Sequence, residues 1–372
     1  MNEKLKYYSL KRILEKGAKY NIIFGERSNG KTYAVLYYAL EHFFKTGKQI
    51  AIIRRWDEDF VGAQSAKTCF DSLMCNGKGE NAIKQLSKGF YSGVEYYNKR
   101  YYLTRYDEKE ERDFRTDKVV ALAFSINSAE HYKSASFPNV DIVLFDEFMT
   151  RKIYLPNEFV DYMNLLSTII RHRDDVTIFM CANTVNKYGC IYFDEMGLYR
   201  IKQMKQGDID VYTYGDSGLV VAVEWSDGIA KSKPSDVYFA FNNPRLEMVK
   251  TGAWEMAIYP HCPCKYLPKE IAFIYFIIFD EQLLQCEVVY HAGSTFTFIH
   301  RKTTELKDTD ADLIYSLEYT PKINYQRFIN KPRNPLGQKI WWYFINDKVF
   351  YQDNEVGEIV RNYLANCGKA VI

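Results

Sequence analysis

The chain has 372 residues, 47% hydrophobic and 26% charged, with a formal net charge of +2. That length favours two domains with cores of their own, and that composition excludes global disorder. A balance so near neutrality excludes a basic tail, so any contact with nucleic acid would come from a local patch or from several subunits together. The eight cysteines (69, 75, 181, 190, 262, 264, 286 and 367) are scattered with no secretory signal before them, which points to a reducing cytoplasm. The longest strongly apolar run, residues 271–279, is too short to span a bilayer, and no membrane partner is expected.

Residues 9–16 predict a short helix with Ser9 as N-cap and Gly17 as its stop. The apolar strand Ile22-Ile23-Phe24 then runs into Gly25-Glu26-Arg27-Ser28-Asn29-Gly30-Lys31-Thr32, the G-x-x-x-x-G-K-T of a P-loop, and an amphipathic helix follows. The glycines let successive N–H groups face one concavity, and the helix points its positive end at the same place, so polyphosphate belongs there. Lys31 would reach the β- and γ-phosphates, and the Thr32 hydroxyl would occupy one ligand position on Mg²⁺. The helix carries Ala34, Val35, Tyr38, Ala39, His42 and Phe43 on one face and ends at Gly47. A buried strand at 49–53 finishes in Arg54-Arg55-Trp56, whose arginines either face solvent or hold an anion.

Residues 57–88 have a helical pattern broken by Gly77 and Gly79, and 94–97 with 101–106 form a hairpin turning near Asn98-Lys99. The charged stretch 107–117 is expected to be mostly a solvated loop before a strand at 119–124. Residues 139–147, NVDIVLFDE, form an apolar strand ending in an acidic pair, a Walker B. Asp146 would sit by Mg²⁺ and Glu147 would polarise the attacking water, which favours a hydrolase over a nucleotide kinase. A GTPase base reader is lacking, since Asn186-Lys187-Tyr188-Gly189 has no Asp, so ATP is the expected nucleotide. A helix at 157–170 buries Phe159, Val160, Met163, Leu166 and Ile170 and ends in Arg171-His172-Arg173. Arg171 is either a dipole-favoured cap or an arginine finger for a neighbouring subunit. Asn183, after a core strand at 176–181, is either a turn residue or an amide sensing the γ-phosphate.

These residues resemble the DNA-packaging ATPases of phi-29-like phages. The matching stretches are the P-loop; Ile53-Arg54-Arg55; Lys133-Ser134 with Phe137-Pro138-Asn139-Val140; Phe145-Asp146-Glu147-Phe148; Leu155-Pro156-Asn157-Glu158; Arg171-His172-Arg173; and Asn183. The resemblance implies an α/β P-loop NTPase domain of the ASCE, RecA-like class with a mainly parallel sheet, and a smaller β-rich α+β domain resembling a vestigial RNase H-like nuclease. It implies Arg171 and Lys133 as cations acting in trans, and Asn183 as the sensor. It also implies a homo-oligomeric ring, a pentamer in the family, that moves double-stranded DNA through a portal into a preformed capsid. That activity belongs at the portal vertex in the host cytoplasm, with a structural packaging RNA as a further partner. One departure is Asp57, where the family has a basic residue thought to touch DNA; suspicion shifts to Arg54 and Arg55 as the DNA contacts.

The expected boundaries are 1–204 for the ATPase, 205–240 for a glycine-punctuated linker or lid, and 241–372 for the second domain. Strands are expected at 271–279, 285–290 and 295–300, and a last helix at 356–364. Candidate metal carboxylates there are Asp280, Glu281, Asp308, Asp310 and Asp312, but none lies inside a β-rich run, so cutting is not expected. His261-Cys262-Pro263-Cys264 lacks the second pair a zinc site needs and reads as a surface loop. Rival functions are a P-loop helicase or conjugative DNA pump, and a non-hydrolysing, nucleotide-gated portal scaffold.

Overall fold

Strands with continuous apolar runs are covered on both faces, and the first half of the chain obeys that rule. The computed structural model describes residues 7–27, 29–61, 66–76, 79–133, 135–150, 154–183, 190–215, 217–227, 259–262, 264–279, 282–306 and 311–369. Ser28, Ser134, Asp280, Glu281, Asp308, Asp310 and the stretch 186–189 lie outside the described residues. The chain divides into two compact units, Met1–Trp254 and Glu255–Ile372.

The strands of the first unit are β1 (Tyr20–Gly25), β2 (Gln49–Arg54), β3 (Gly93–Tyr97), β4 (Arg100–Asp107), β5 (Arg112–Ser125), β6 (Val140–Asp146), β7 (Thr177–Asn183), β8 (Ile209–Tyr214) and β9 (Leu219–Trp225). They form one sheet in the order β3-β4-β5-β2-β6-β7-β1-β9-β8. The core strands β5, β2, β6, β7, β1 and β9 run parallel, with antiparallel pairs at both edges. β7 lies between the P-loop strand β1 and the Walker B strand β6, the strand order of the ASCE class.

The helices are α1 (Lys11–Leu14), α2 (Lys31–Thr46), α3 (Asp71–Met74), α4 (Ala82–Leu86), α5 (Glu158–Ile170) and α6 (Ile191–Glu195). α2 covers one face of the sheet, packing Val35, Leu36, Ala39 and Leu40 on Ile23, Ile52 and Leu144. α5 covers the other, packing Tyr162, Leu165, Leu166 and Ile169 on Phe24, Ile53 and Phe145.

Both buried faces are turned from the expected ones. In α2 the expected Val35 and Ala39 are buried together with Leu36 and Leu40, while His42 reaches Asp141 at 3.2 Å. In α5, Val160 is exposed and Tyr162 takes its place in the core. Helical spacing alone leaves a stripe's centre open to such rotation, because neighbouring apolar residues fit either choice.

Three segment assignments are corrected. The charged stretch 107–117 is mostly strand, with a turn at 108–111: Asp107 pairs with Arg112 and Thr104 with Arg115, so backbone pairing carries an exposed, polar hairpin. The region 57–88 contains only a 3₁₀ turn and two short helices among its described residues. Residues 209–214 and 219–225, expected in a linker, are β8 and β9, and β9 pairs in parallel with the P-loop strand from Tyr20↔Val221 to Phe24↔Trp225. Among the described glycines of that stretch, Gly215 and Gly218, both with positive φ, bracket the turn of the β8–β9 hairpin.

The second unit is a six-stranded sheet of β10 (Ile271–Phe279), β11 (Gln282–His291), β12 (Ser294–Arg301), β13 (Ile314–Ser316), β14 (Tyr325–Gln326) and β15 (Val349–Tyr351). β10, β11 and β12 form an antiparallel meander, β13 pairs in parallel with β10, and β14 in parallel with β13. Helices α7 (Pro335–Ile345) and α8 (Asn354–Lys369) complete it, with Val356, Ile359, Val360 and Tyr363 packed on Tyr275, Ile277 and Leu284. Among the described residues no helix is long and apolar enough to cross a membrane.

Candidate nucleotide site

β1 ends at Gly25 and α2 begins after Gly30, which caps the helix with a φ of +92°. Gly25 is needed for a different reason: a Cβ there would overlap the Ser226 hydroxyl. Between them the loop curls around the Lys31 ammonium, which donates to the carbonyls of Gly25 (3.3 Å) and Glu26 (2.6 Å) and to Asn29 Oδ1 (3.0 Å). Burial lowers the Lys31 pKa to about 8, against the opposing pull of nearby negative charge including Asp146.

The parallel strands bring the second motif alongside. Thr32 Oγ1 donates to Asp146 Oδ1 at 2.9 Å, joining P-loop and Walker B directly. A cavity of about 220 Å³ opens there, lined by Asn29, Gly30, Lys31, Thr32, Tyr33, Asp146, Glu147, Ala182 and Asn183. Asn183 is the last residue of β7, opposite Gly25 in the ladder, so the residue expected as a sensor does line the cavity.

Arg54 and Arg55 do not face solvent: each holds an anion, the second of the two expected situations, and the anions are carboxylates of this chain. They are only 4% and 6% exposed, which overturns their assignment as DNA contacts, because a cation gripping a backbone phosphate must be accessible. Arg54 instead holds both Walker B carboxylates, Asp146 at 2.8 Å and Glu147 at 2.8 Å. Arg55 pairs through Nε with both oxygens of Glu158, at 2.9 and 2.8 Å, and donates to the carbonyls of Phe148 (2.7 Å) and Glu147 (3.3 Å). Glu158 is itself filled by Tyr192 OH and Leu155 N–H, both at 2.8 Å. One arginine thus fixes the acidic side chains and the other fixes the turn that carries them, where Glu147 has a φ of +60°. Asp57 is explained by the hairpin: it accepts from Lys99 Nζ at 2.6 Å and Ser125 Oγ at 2.8 Å. Partial burial opposes its charge, but these bonds prevail and hold its carboxyl below the usual range.

Arg171 caps α5 with a φ of +53° and donates to the Ala135 carbonyl at 2.6 Å, two residues beyond Lys133. Lys133 is exposed and pairs with Glu130 at 2.5 Å. Arg173, next along, binds Asp141 at 3.4 Å and the Val140 carbonyl, at the start of β6. Asp146 is at the other end of that strand, roughly 20 Å away at about 3.3 Å per residue. The chain therefore brings Arg171 close to the Lys133 loop and keeps it away from its own P-loop.

Sequence reasoning missed the residues that buttress the P-loop from β9 and the N-terminal segment. Asn29 is 1% exposed and its Nδ2 donates to Ser226 Oγ at 2.9 Å. Tyr8 OH donates to the buried Glu224 at 2.5 Å, and its N–H donates to Asn29 O at 2.9 Å. Burial raises the Glu224 pKa, with the Tyr8 bond opposing. No local pattern marks Ser226, since its partners are about 200 positions away in sequence.

The sequence model of the family described as Podovirus DNA encapsidation protein (Gp16) matches residues 1–91 and 90–199. The chain belongs to that family. The DNA packaging proteins of Bacillus phages PZA and phi29 are each 24% identical to it over 188 residues, 50% of this chain and 48% of theirs. That of Bacillus phage B103 is 26% identical over 170 residues, 45% of this chain and 44% of its own length. The chain thus spans about half the length of these relatives. Among solved structures, the bacteriophage Phi-29 viral genome packaging motor assembly has a TM-score of 0.53 at 18% identity, covering 97% of this chain and 99% of that one, which shows a shared fold.

Proposed function

We propose that this Gp16-family chain is the ATPase subunit of a ring motor that drives double-stranded phage DNA through a portal into a capsid. The observation that carries the reading is the junction of Lys31, Thr32, Asp146 and Glu147 at one cavity, with Asn183 beside it. The parked ammonium of Lys31 and the Thr32–Asp146 pair are a donor set suited to Mg·ATP, with Thr32 and Asp146 holding the metal. Mg²⁺ there supplies charge neutralisation on the β- and γ-phosphate oxygens.

Lys31 leaves the loop carbonyls for the phosphates, and Asn183 donates to the γ-phosphate. Glu147, released by Arg54, accepts the proton of the water that attacks the γ-phosphorus as the bond to ADP breaks. Arg171 and Lys133 act on the neighbour's nucleotide, a role supported by their distance from the chain's own P-loop. The grip on DNA is to phosphates, since packaging a genome cannot depend on sequence. The second unit, with its meander followed by parallel strands, is taken as a nuclease-like fold used for docking; β10 carries no carboxylate. The partners proposed are the portal, a packaging RNA and further copies of this chain, a pentamer, at the portal vertex in the host cytoplasm.

Glu147→Gln is the test. It is expected to keep ATP binding while turnover falls by at least about 10², and wild-type specific activity is expected to rise with protein concentration and with blunt duplex DNA. Undiminished turnover in Glu147→Gln overturns the mechanism, and strand separation by the wild type overturns the packaging role in favour of a helicase.

The Lys31 environment sets a pH dependence. The ammonium is the phosphate-binding form, and in the empty site it is lost as pH rises through about 8. ATP affinity measured by calorimetry is therefore expected to be flat below that pH and to fall up to about tenfold per unit above it. The same fall in Lys31→Ala would assign the titration to another group.

A further inference from the structure

The side chains behind the P-loop form a directional hydrogen-bond chain that phosphate binding must disturb. Asn29 Oδ1 accepts from Lys31 at 3.0 Å, and its Nδ2 donates to Ser226 Oγ at 2.9 Å and to the Asp227 carbonyl at 3.4 Å. The Ser226 hydroxyl donates to the Phe24 carbonyl at 3.2 Å, which also accepts from the Ser226 N–H at 2.8 Å. Asn29 and Ser226 are 1% and 0% exposed, so neither has water as an alternative partner. Ser226 can come this close only because Gly25 has no side chain.

We propose that Asn29 and Ser226 are positioning residues of the nucleotide site and form a relay that carries phosphate occupancy at Lys31 to the end of β9. The proposal rests on the ATP reading above. When Lys31 moves to a phosphate, Asn29 Oδ1 is left buried without its donor, a costly state that forces the amide to turn or shift. Its other end holds Ser226 and Asp227, so the move acts on them directly. They lie just past Trp225, where the chain leaves the sheet, and Asp227 also pairs with Arg12 at 3.4 Å. A change at the γ-phosphate is thereby delivered to the root of the segment leading to the second unit, which begins at Glu255.

Hydrogen exchange on the full chain tests this, with Glu147→Gln as the background so that Mg·ATP is not consumed. ATP is expected to slow exchange in the P-loop peptide and to change exchange of the 219–227 peptide at least threefold. In the added Ser226→Ala variant the P-loop protection is expected to persist while the change at 219–227 disappears; Ser226→Gly, which also removes the hydroxyl, is expected to do the same and stands in if Ser226→Ala does not fold. An unchanged 219–227 peptide beside a protected P-loop, or an equal change with and without the Ser226 hydroxyl, overturns the relay alone. No protection of the P-loop overturns the ATP reading and the relay with it.

Discussion

Arg171→Ala is expected to lower ATP turnover of the assembled protein by about 10³ to 10⁵, the usual effect of losing a trans-acting arginine. ATP binding should be nearly unaffected, because Arg171 rests on Ala135 and lies the length of β6 from the Asp146 of its own chain. The decisive measurement is an equal mixture of Arg171→Ala and Glu147→Gln. Each variant is inactive by itself, but in a mixed ring an intact Glu147 can face a neighbour's intact Arg171, so part of the turnover returns. If Arg171→Ala is fully active alone, Arg171 serves only as the C-cap residue of α5 and the shared site must be given up. The φ of +53° at Arg171 is compatible with either role.

The second large effect is on stability. Arg54→Ala removes the cation from a buried pair, Arg54 being 5% and Asp146 10% exposed in their side chains. Breaking such a pair from one side costs about 3–5 kcal/mol, because the remaining carboxylate stays buried without its partner. Glu147, with a side chain 59% exposed, recovers water and contributes little to that loss. Chemical denaturation of the nucleotide-free protein should show the deficit. Mg²⁺ should restore more stability in Arg54→Ala than in the wild type, since the metal replaces the missing charge beside Asp146. A variant as stable as the wild type would mean that the Arg54–Asp146 pair contributes nothing to folding.

The contrast between Arg54 and Glu147 shows where sequence reading stops. Residues 53–55 signal a core strand ending in two cations, which by itself allows either exposed or anion-holding arginines. What turns both inward is partners 92 and 103 positions later, Asp146 and Glu158, which adjacent parallel strands and the start of α5 bring into reach. Asp57 is the same case in reverse: an acid where a base is expected makes sense only once the β3–β4 hairpin delivers Lys99. Polar strands fail for a related reason. Residues 112–118 have no apolar alternation to announce them, and their pairing comes from the neighbouring strand β4.

By itself the sequence determined the P-loop, the Walker B pair, their strands and the helices that cover them. Each of these is a local pattern whose chemistry is carried by adjacent residues, and backbone propensity and burial agree along it. Only the tertiary structure decided which cations are internal and which face outward, that β8 and β9 belong to the sheet of the first unit, and that Ser226 stands behind the P-loop. Those facts rest on contacts between residues up to 202 positions apart, where one side chain's environment is set by another strand and nothing in the local sequence encodes it.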